Sequence, residues 1–173
     1  HPTQALLDIM SLHEKLGSLK NVKIAIIGDI LHSRVALSNI YGLIKMGSKV
    51  QVCGPPHLIP RYIEELGVEV SYDIKKTIKW ADAINILRIQ RERMGVGIIP
   101  SIREYRDLFG INFDRINKYN KDIVIMHPGP INRGVEIDSS IADGDNSLIL
   151  NQVLNGVAIR MSILFLLLGT KDE

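Results

Sequence analysis

Residues 83–93 read AINILRIQRER, an apolar run that ends abruptly in charged and amide side chains. Residues 22–34, VKIAIIGDILHSR, have the same form. Such runs, rich in β-branched residues, are typical of strands in a buried parallel sheet. The first run delivers Arg88 and Gln90 at its carboxyl end, and the second delivers Asp29 and Arg34. We therefore expect two neighbouring strand ends that place two guanidinium groups around one small dianionic ligand.

Apolar strands alternate with helical segments along the whole chain. The predicted strands are 22–28, 49–53, 68–72, 83–89 and 122–126. The predicted helices are 2–17, 33–46, 60–66, 73–80, 102–109, 112–119 and 148–168. This alternation predicts an α/β fold, a doubly wound five-stranded parallel sheet of order 3-2-1-4-5 with helices on both faces. A ligand crevice is expected at the carboxyl ends of strands 1 and 4, where the winding reverses.

The composition is that of an ordinary globular domain. The chain has 173 residues and a net charge of +2, which suits a single α/β domain. Because no run is rich in lysine and arginine, nucleic acid is not an expected partner. The single cysteine, Cys53, can form no internal disulfide, so we expect a reducing, cytoplasmic location.

The turn after the first predicted strand lacks the features of a nucleotide site. After Gly28 the chain reads DILHSRVALS, without the further glycines of a dinucleotide fingerprint. No His, Cys, Asp or Glu cluster has the spacing of metal ligands, and no Ser–His–Asp or Cys–His arrangement is evident. We therefore expect neither a cofactor nor a metal.

The longest apolar stretch, residues 157–168, lies near the carboxyl end and contains one charge, Arg160. Because this stretch is short for a bilayer, we predict a buried helix, and neither a membrane span nor a membrane partner. We expect no signal peptide, and because the sequence begins with His1 and not with methionine, we expect it to be a piece of a longer protein.

Two arginines are the candidate anion-binding residues. Ser33 and Arg34 begin a predicted helix, where backbone N–H groups and the helix dipole favour an anion. Arg88 and Gln90 are two residues apart at a strand end, so their side chains point the same way. The alternatives are an ordinary surface arginine and a solvated strand exit.

A rigid loop and the start of the chain supply further candidates. The segment His127-Pro128-Gly129-Pro130 follows the fifth predicted strand, and its carbonyls can accept hydrogen bonds from an amide-type NH2 group. The alternative is a stiff connection. His1 and Gln4 open the first helix, and both can donate to a developing oxyanion. Each of them can equally be structural.

Five segments together resemble the aspartate carbamoyltransferases, in particular the aspartate-binding half of their chain. These are HPTQALLD at 1–8, GDILHSRVALSN at 28–39, LRIQRER at 87–93, HPGPINRGVEID at 127–138 and the NGVAIRM of the last helix. The related ornithine carbamoyltransferases share the HPTQ opening but typically have cysteine in place of Pro128. LRIQRER and HPGP therefore favour aspartate. Leu37 replaces an arginine usual in the family, which is expected to have only a local effect.

The resemblance implies a role for each matching residue. His1 binds the carbamoyl oxygen and Gln4 helps to hold the carbamoyl group. Arg34 binds the α-carboxylate of aspartate, and Arg88, assisted by Gln90, binds the side-chain carboxylate. The carbonyls of Pro128 and Gly129 receive the carbamoyl amine. Two supporting roles follow: Asp29 contacts Gln4, and the residues that form loop and interdomain salt bridges closing the site are Glu92, Arg93 and Glu136.

The implied reaction is attack of the aspartate amine on carbamoyl phosphate, with release of phosphate and without a metal. It depends on positioning and on oxyanion stabilisation. The phosphate-binding loops of the family belong to an amino-terminal domain that residues 1–173 do not contain. The terminal helices, 1–17 and 148–169, are expected to cross to that domain, and the parent enzyme is expected to be a homotrimer with shared active sites.

Alternative functions remain open from the sequence. The chain alone could be a dicarboxylate-binding domain without catalysis, an ornithine carbamoyltransferase-like transferase, or an unrelated doubly wound regulatory domain. The INRG form of the loop at 131–134 resembles bacterial enzymes without separate regulatory chains, some of which associate with dihydroorotase. Dihydroorotase is therefore a further expected partner.

Overall fold

The structure, a computed structural model, describes residues 1–89 and 101–169. Within these ranges, five strands form one sheet in the order β3-β2-β1-β4-β5, and every neighbouring pair is parallel. The predicted fold class and strand order are therefore confirmed. The strands are β1 Lys23–Ile27, β2 Lys49–Cys53, β3 Glu69–Ser71, β4 Ala83–Ile86 and β5 Val124–Met126.

Helices cover both faces of the sheet. Alternate strand residues point to opposite sides, so each face carries apolar side chains that the helices bury. Ile24 and Ile26 pack in the core that faces α1 and α2, whereas Ala25 and Ile27 pack in the core that faces α3, α4 and α5. The helices are α1 Pro2–Leu16, α2 Arg34–Lys45, α3 Ile74–Trp80, α4 Ile102–Phe109, α5 Phe113–Tyr119, α6 Ser139–Ala142 and α7 Ile149–Leu168.

Several predicted boundaries are wrong for local reasons. Residues 60–66 form only a short 3-10 turn at Ile63–Leu66, because Tyr62 takes a left-handed conformation with φ 64°. The fourth strand ends at Ile86, three residues before the predicted end at residue 89. The amide of the next residue, Leu87, still donates to the carbonyl of Ile27 in β1 at 2.8 Å. Helix α6 lies inside the segment predicted as a long loop.

Gly28 lies where the backbones that follow the two central strands approach each other closely. Its φ is 124°, and a Cβ at this position would lie 2.9 Å from the carbonyl oxygen of Leu87. A larger residue would be strained in conformation and would also collide with the neighbouring backbone. The crevice at the switch point therefore begins at a position that requires glycine.

The buried face of α1 differs from the apolar stripe that the sequence predicts for residues 2–17, formed by Ala5, Leu6, Ile9, Met10, Leu12, His13 and Leu16. Leu6, a member of that stripe, is exposed, whereas Asp8 and Ser11 are buried. Both polar residues form hydrogen bonds to neighbouring elements. Hydrophobic periodicity ignores such contacts, so the pattern located the helix correctly and its orientation incorrectly.

The prediction that residues 157–168 form a buried helix is wrong. Only Gln152, Asn155 and Gly156 of α7 are buried, and most residues of the helix after them are exposed. Within the described residues, α7 is long and apolar enough to cross a membrane by length and composition alone, with a mean hydropathy of 1.5. Its exposed large apolar side chains are Leu150, Val153, Leu154, Val157, Met161, Leu164, Phe165, Leu166, Leu167 and Leu168.

We expect the isolated chain to self-associate through the exposed face of α7, because covering that apolar surface removes it from water. Phe165→Glu is expected to shift the chain toward monomer in sedimentation-velocity experiments at increasing concentration. Tyr62→Glu is the matched control, since both side chains are 74% exposed and Tyr62 lies outside α7. A wild-type chain that is monomeric at every concentration contradicts the prediction.

Candidate functional site

A cleft of about 360 Å³ lies at the carboxyl ends of β1, β4 and β5. Its walls come from the start of α1, the start of α2, the segments that follow β4 and β5, and one residue of α7. The lining residues are His1, Thr3, Gln4, Ser33, Val35, Leu87, Arg88, Pro128, Gly129, Pro130 and Arg160. This is the edge of the sheet at which the winding reverses, where ligands of open α/β sheets bind.

The cleft brings together five of the candidate residues from the sequence. His1, Gln4, Arg88, Pro128 and Gly129 all line it, although they lie far apart in the chain. They provide an imidazole, an amide, a half-buried guanidinium and two backbone carbonyls. Such a set can bind a small polar molecule that has both an anionic and an amide-type end.

Arg34, the second predicted arginine, is not among the lining residues. It is the exposed first residue of α2, between Ser33 and Val35, which do line the cleft. The Ser33 hydroxyl caps this helix by accepting from the amide of Ala36 at 3.1 Å. Gln90, Glu92 and Arg93 lie outside the described residues.

The loop that follows β5 is fixed by a buried histidine and a buried glutamate. Nδ1 of His127 accepts from the amide of Gly129 at 2.9 Å, so the neutral ring carries its proton on Nε2, which lies 3.3 Å from Oε1 of Glu136. The same oxygen accepts from the amide of Asn132 at 2.6 Å. This arrangement holds the carbonyls of Pro128 and Gly129 in place.

Two predicted supporting residues have partners other than the expected ones within the described residues. Glu136 is fully buried and paired with His127, so it contacts the loop from inside. Asp29 is also fully buried, and its carboxylate contacts the backbone amide and Nδ1 of His32 rather than Gln4. Both carboxylates find partners within nine residues along the chain, although Oε2 of Glu136 is buried with no hydrogen-bond partner within the described residues.

Gln4 instead contacts Asp8, a residue that the sequence analysis did not single out. The Asp8 carboxylate accepts four amide N–H groups: Oδ1 from Gln4 at 2.8 Å and from Gln152 at 2.7 Å, and Oδ2 from Asn39 at 2.7 Å and from Asn85 at 3.2 Å. We call these five residues the Asp8 network. Burial raises the pKa of the Asp8 carboxyl, and the four hydrogen bonds oppose that rise. The available signal was the i,i+4 spacing of Gln4 and Asp8 in HPTQALLD.

Arg160 is the second functional candidate that sequence reasoning missed. It lines the cleft from α7, and its Nη1 donates to the carbonyl of Gly156 at 2.8 Å. A Cβ at Gly156 would lie 2.7 Å from that nitrogen, so the small residue leaves room for the folded-back side chain. The signal was a lone charge in an otherwise apolar helix.

In residues 1–89 and 101–169, no group of three or more His, Cys, Asp or Glu side chains could hold a metal ion. Cys53 is buried, and this burial raises the pKa of its thiol to about 11. The cleft in this part of the chain is therefore lined by hydrogen-bonding groups and not by a reactive thiol.

Comparison with known proteins identifies the chain's relatives. The family described as aspartate/ornithine carbamoyltransferase, Asp/Orn binding domain, matches residues 20–167. The aspartate carbamoyltransferase catalytic subunit of Cytophaga hutchinsonii is 57% identical over 171 residues, which are 99% of this chain and 56% of the relative. That of Flavobacterium johnsoniae is 60% identical over 167 residues, 96% of this chain and 54% of the relative. The chain thus spans about half the length of these relatives.

Solved structures give the same result. An ornithine carbamoyltransferase from Pyrococcus furiosus has a TM-score of 0.82 and 29% identity, and the match covers 99% of this chain and 57% of that protein. The aspartate transcarbamoylase of Trypanosoma cruzi in complex with N-(phosphonacetyl)-L-aspartic acid has a TM-score of 0.81 and 27% identity, covering 95% of this chain and 55% of that protein. The fold and the sequence therefore indicate the same family.

The raised pKa of Asp8 predicts the sign of a pH effect on stability. Between the unfolded pKa of 3.8 and the higher folded value, the folded chain retains a proton that the unfolded chain has released. The free energy of unfolding therefore falls as pH rises through that window. Relative to Asp8→Asn, which cannot titrate, the wild-type chain is expected to lose stability across the window in urea unfolding.

Asp143 supplies a control of opposite sign. The pKa of Asp143 is lowered by its hydrogen bond with Arg133. The contribution of the ionised carboxylate to the free energy of unfolding is therefore lost as pH falls. The wild-type chain is therefore expected to lose stability relative to Asp143→Asn at the acid end. If the free energy of unfolding of the wild-type chain rises relative to that of Asp8→Asn as pH rises, the assignment to Asp8 is contradicted.

Proposed function

The chain belongs to the aspartate/ornithine carbamoyltransferase family, and we propose that it is the aspartate-binding half of an aspartate carbamoyltransferase. The proposed reaction is transfer of the carbamoyl group from carbamoyl phosphate to the amine of L-aspartate, which yields N-carbamoyl-L-aspartate and phosphate for pyrimidine synthesis. The observation that carries this proposal is the cleft that gathers His1, Gln4, Arg88 and the carbonyls of Pro128 and Gly129.

In this proposal each group acts by position and charge. The guanidinium of Arg88 binds the side-chain carboxylate of aspartate in a two-point contact, with Gln90 assisting. Arg34, at the start of α2 and beside the cleft, binds the α-carboxylate, together with the positive end of the helix dipole. The two carboxylates thus leave the aspartate amine directed into the cleft.

The carbamoyl group is held by the remaining lining residues. The carbonyls of Pro128 and Gly129 accept hydrogen bonds from its NH2 group, and His1 donates to its oxygen as negative charge develops there. Gln4 lies beside His1 on the first turn of α1 and contacts the same group. Catalysis therefore consists of aligning two substrates and stabilising a tetrahedral oxyanion.

The phosphate leaving group needs a second domain in this proposal. The relatives are nearly twice as long as this chain, which leaves room for a further domain. Helices α1 (within 1–17) and α7 (within 148–169) are proposed to pack against it, since the apolar face of α7 is uncovered in the described structure. Glu92 and Arg93 are proposed to form the salt bridges that close the site.

The expected assembly follows from the same family. We propose a homotrimer with shared active sites in the cytoplasm, and dihydroorotase as a further partner on the basis of the INRG loop at 131–134. A second candidate function is dicarboxylate binding without catalysis by the chain alone. That alternative is favoured by the fact that the chain spans only about half of its relatives.

The experiment supplies the chain with the amino-terminal half of the Cytophaga hutchinsonii relative, by co-production, and assays formation of carbamoyl aspartate. We expect turnover by the pair and none by the chain alone. Aspartate binding to the chain alone, measured by calorimetry, tests the second candidate. Turnover by the chain alone, or inactivity of a well-assembled pair, contradicts the proposal.

Arg88→Ala is expected to raise the KM for aspartate about 10- to 100-fold, because a hydrogen bond to a charged group contributes about 1.5–3 kcal/mol. Arg88→Lys keeps the charge but loses the planar fork, so an intermediate KM is expected. Arg103→Ala is the control, since this side chain is 92% exposed in α4, outside the cleft lining. Equal KM values for all three variants contradict the role of Arg88.

A further inference from the structure

We propose that Asp8 is a positioning residue that sets the orientation of two groups in the cleft, the side-chain amide of Gln4 and the backbone that begins at His127. The inference rests on the proposed function, in which Gln4 contacts the carbamoyl group and the carbonyls of Pro128 and Gly129 receive its NH2. Asp8 itself is 1% exposed and does not line the cleft. It would therefore act only through its hydrogen-bond partners.

The first partner is Gln4. An ionised carboxylate can only accept hydrogen bonds, so it takes the NH2 end of the Gln4 amide, with Nε2 of Gln4 2.8 Å from Oδ1 of Asp8. This contact fixes which end of the amide is which, and the Gln4 oxygen is left as the group available to the cleft. Asp8 thereby makes Gln4 an acceptor for an NH2 group rather than a donor to an oxyanion.

The second partner is Gln152 of α7. Its Nε2 donates to Oδ1 of Asp8 at 2.7 Å, and its Oε1 accepts from the backbone amide of His127 at 3.0 Å. The carboxylate again sets the orientation of the amide, since a reversed Gln152 would present NH2 to the N–H of His127. The carbonyls of Pro128 and Gly129 follow directly, so Asp8 is two hydrogen bonds away from the loop that carries them.

The other carboxylate oxygen is occupied by two asparagines that fix the position of Asp8. Asn39 of α2 and Asn85 of β4 both donate to Oδ2, and the Oδ1 atoms of these asparagines are buried with no hydrogen-bond partner within the described residues. An unsatisfied buried oxygen costs free energy. The two amides are thus oriented with their NH2 groups toward Asp8, and their oxygens remain without a hydrogen bond within the described residues.

A simpler role for Asp8 is to fasten α1 to α7. The structure provides a matched contact for that role alone. Nδ2 of Asn155 in α7 donates to Oγ of Ser11 and to Oε2 of Glu14 in α1, at 2.9 and 2.7 Å. These hydrogen bonds join the same two helices without reaching Gln4 or His127. Asn155→Ala is therefore the control that weakens the helix contact and leaves the cleft groups oriented.

The first measurement uses the chain alone and ¹⁵N-resolved NMR. Asp8→Asn keeps the shape of the side chain but replaces one accepting oxygen with an NH2 donor. This donor faces amide NH2 groups of the Asp8 network, so some of those amides must rotate or move away. We expect the side-chain NH2 signals of Gln4 and Gln152 and the backbone signal of His127 to shift together. Asn155→Ala is expected to leave these three signals in place.

The second measurement uses the pair of halves and separates kcat from KM. Asp8→Asn is expected to lower kcat about 10- to 100-fold, since misplacement of positioning groups by about 1 Å has effects of that size. The KM for aspartate is expected to change less than about twofold, because Arg88 is not part of the network. Asn155→Ala is expected to keep kcat within about twofold of wild type.

A double-variant comparison tests whether Asp8 acts through Gln4. In a Gln4→Ala background, Asp8→Asn is expected to lower kcat by a smaller factor than in the wild-type background, because one of its two routes is already removed. If Asp8→Asn does not fold, Gln152→Leu tests the remaining route alone. It should shift the His127 signal, leave the Gln4 signal unchanged and lower kcat.

Three results overturn the inference: an unchanged kcat for folded Asp8→Asn, equal effects of Asp8→Asn and Asn155→Ala on kcat, or Gln4 and His127 signals that do not respond to Asp8→Asn. If Asp8→Asn does not fold, the Gln152→Leu variant decides the question. The inference is then also overturned if this variant leaves the His127 signal or kcat unchanged. An inactive wild-type pair is instead a failure of the proposed function. In that case the NMR result still decides whether Asp8 orients the two amides.

Discussion

The buried carboxylate of Asp8 is the constraint on which the arrangement of this domain depends. A charge without access to water is tolerated only when hydrogen bonds surround it. Here the donors come from four different elements, α1, α2, β4 and α7, and each contributes one amide. Because every donor must be within about 3 Å of the same group, the four elements have little freedom to slide relative to one another.

Much of the fold could be predicted because its signals are local and repeated. The alternation of apolar strands with helices was enough to give five parallel strands in the order 3-2-1-4-5, as observed. The helix predicted over 73–80 also matches α3, which Asp73 caps by accepting from the amides of Lys75 and Lys76. The errors lie where tertiary contacts decide the outcome. The orientation of α1 follows the partners of Asp8 and Ser11, and α7 has an uncovered apolar face that composition alone suggested would be buried.

The candidate site was predictable to the extent that strand ends determine it. Arg88, Pro128 and Gly129 follow β4 and β5 directly, and parallel strands carry such residues to one edge of the sheet. The supporting carboxylates were not predictable in this way. Asp29 and Glu136 found partners within nine residues along the chain, and Asp8 found three of its four partners in remote parts of the chain. Sequence spacing carries no information about pairings of that kind.

The large separation of the paired residues along the chain has a consequence for the order in which contacts form during synthesis. Gln152 and Asp8 are 144 residues apart, as are Asn155 and Ser11. During synthesis, β1, α2 and β2 can meet soon after they emerge, since their contacts are short-range. Asp8, by contrast, remains without one of its four donors until α7 has left the ribosome. Helix α7 is translated long after Asp8 and completes the surroundings of that residue, and contacts of such long range slow folding.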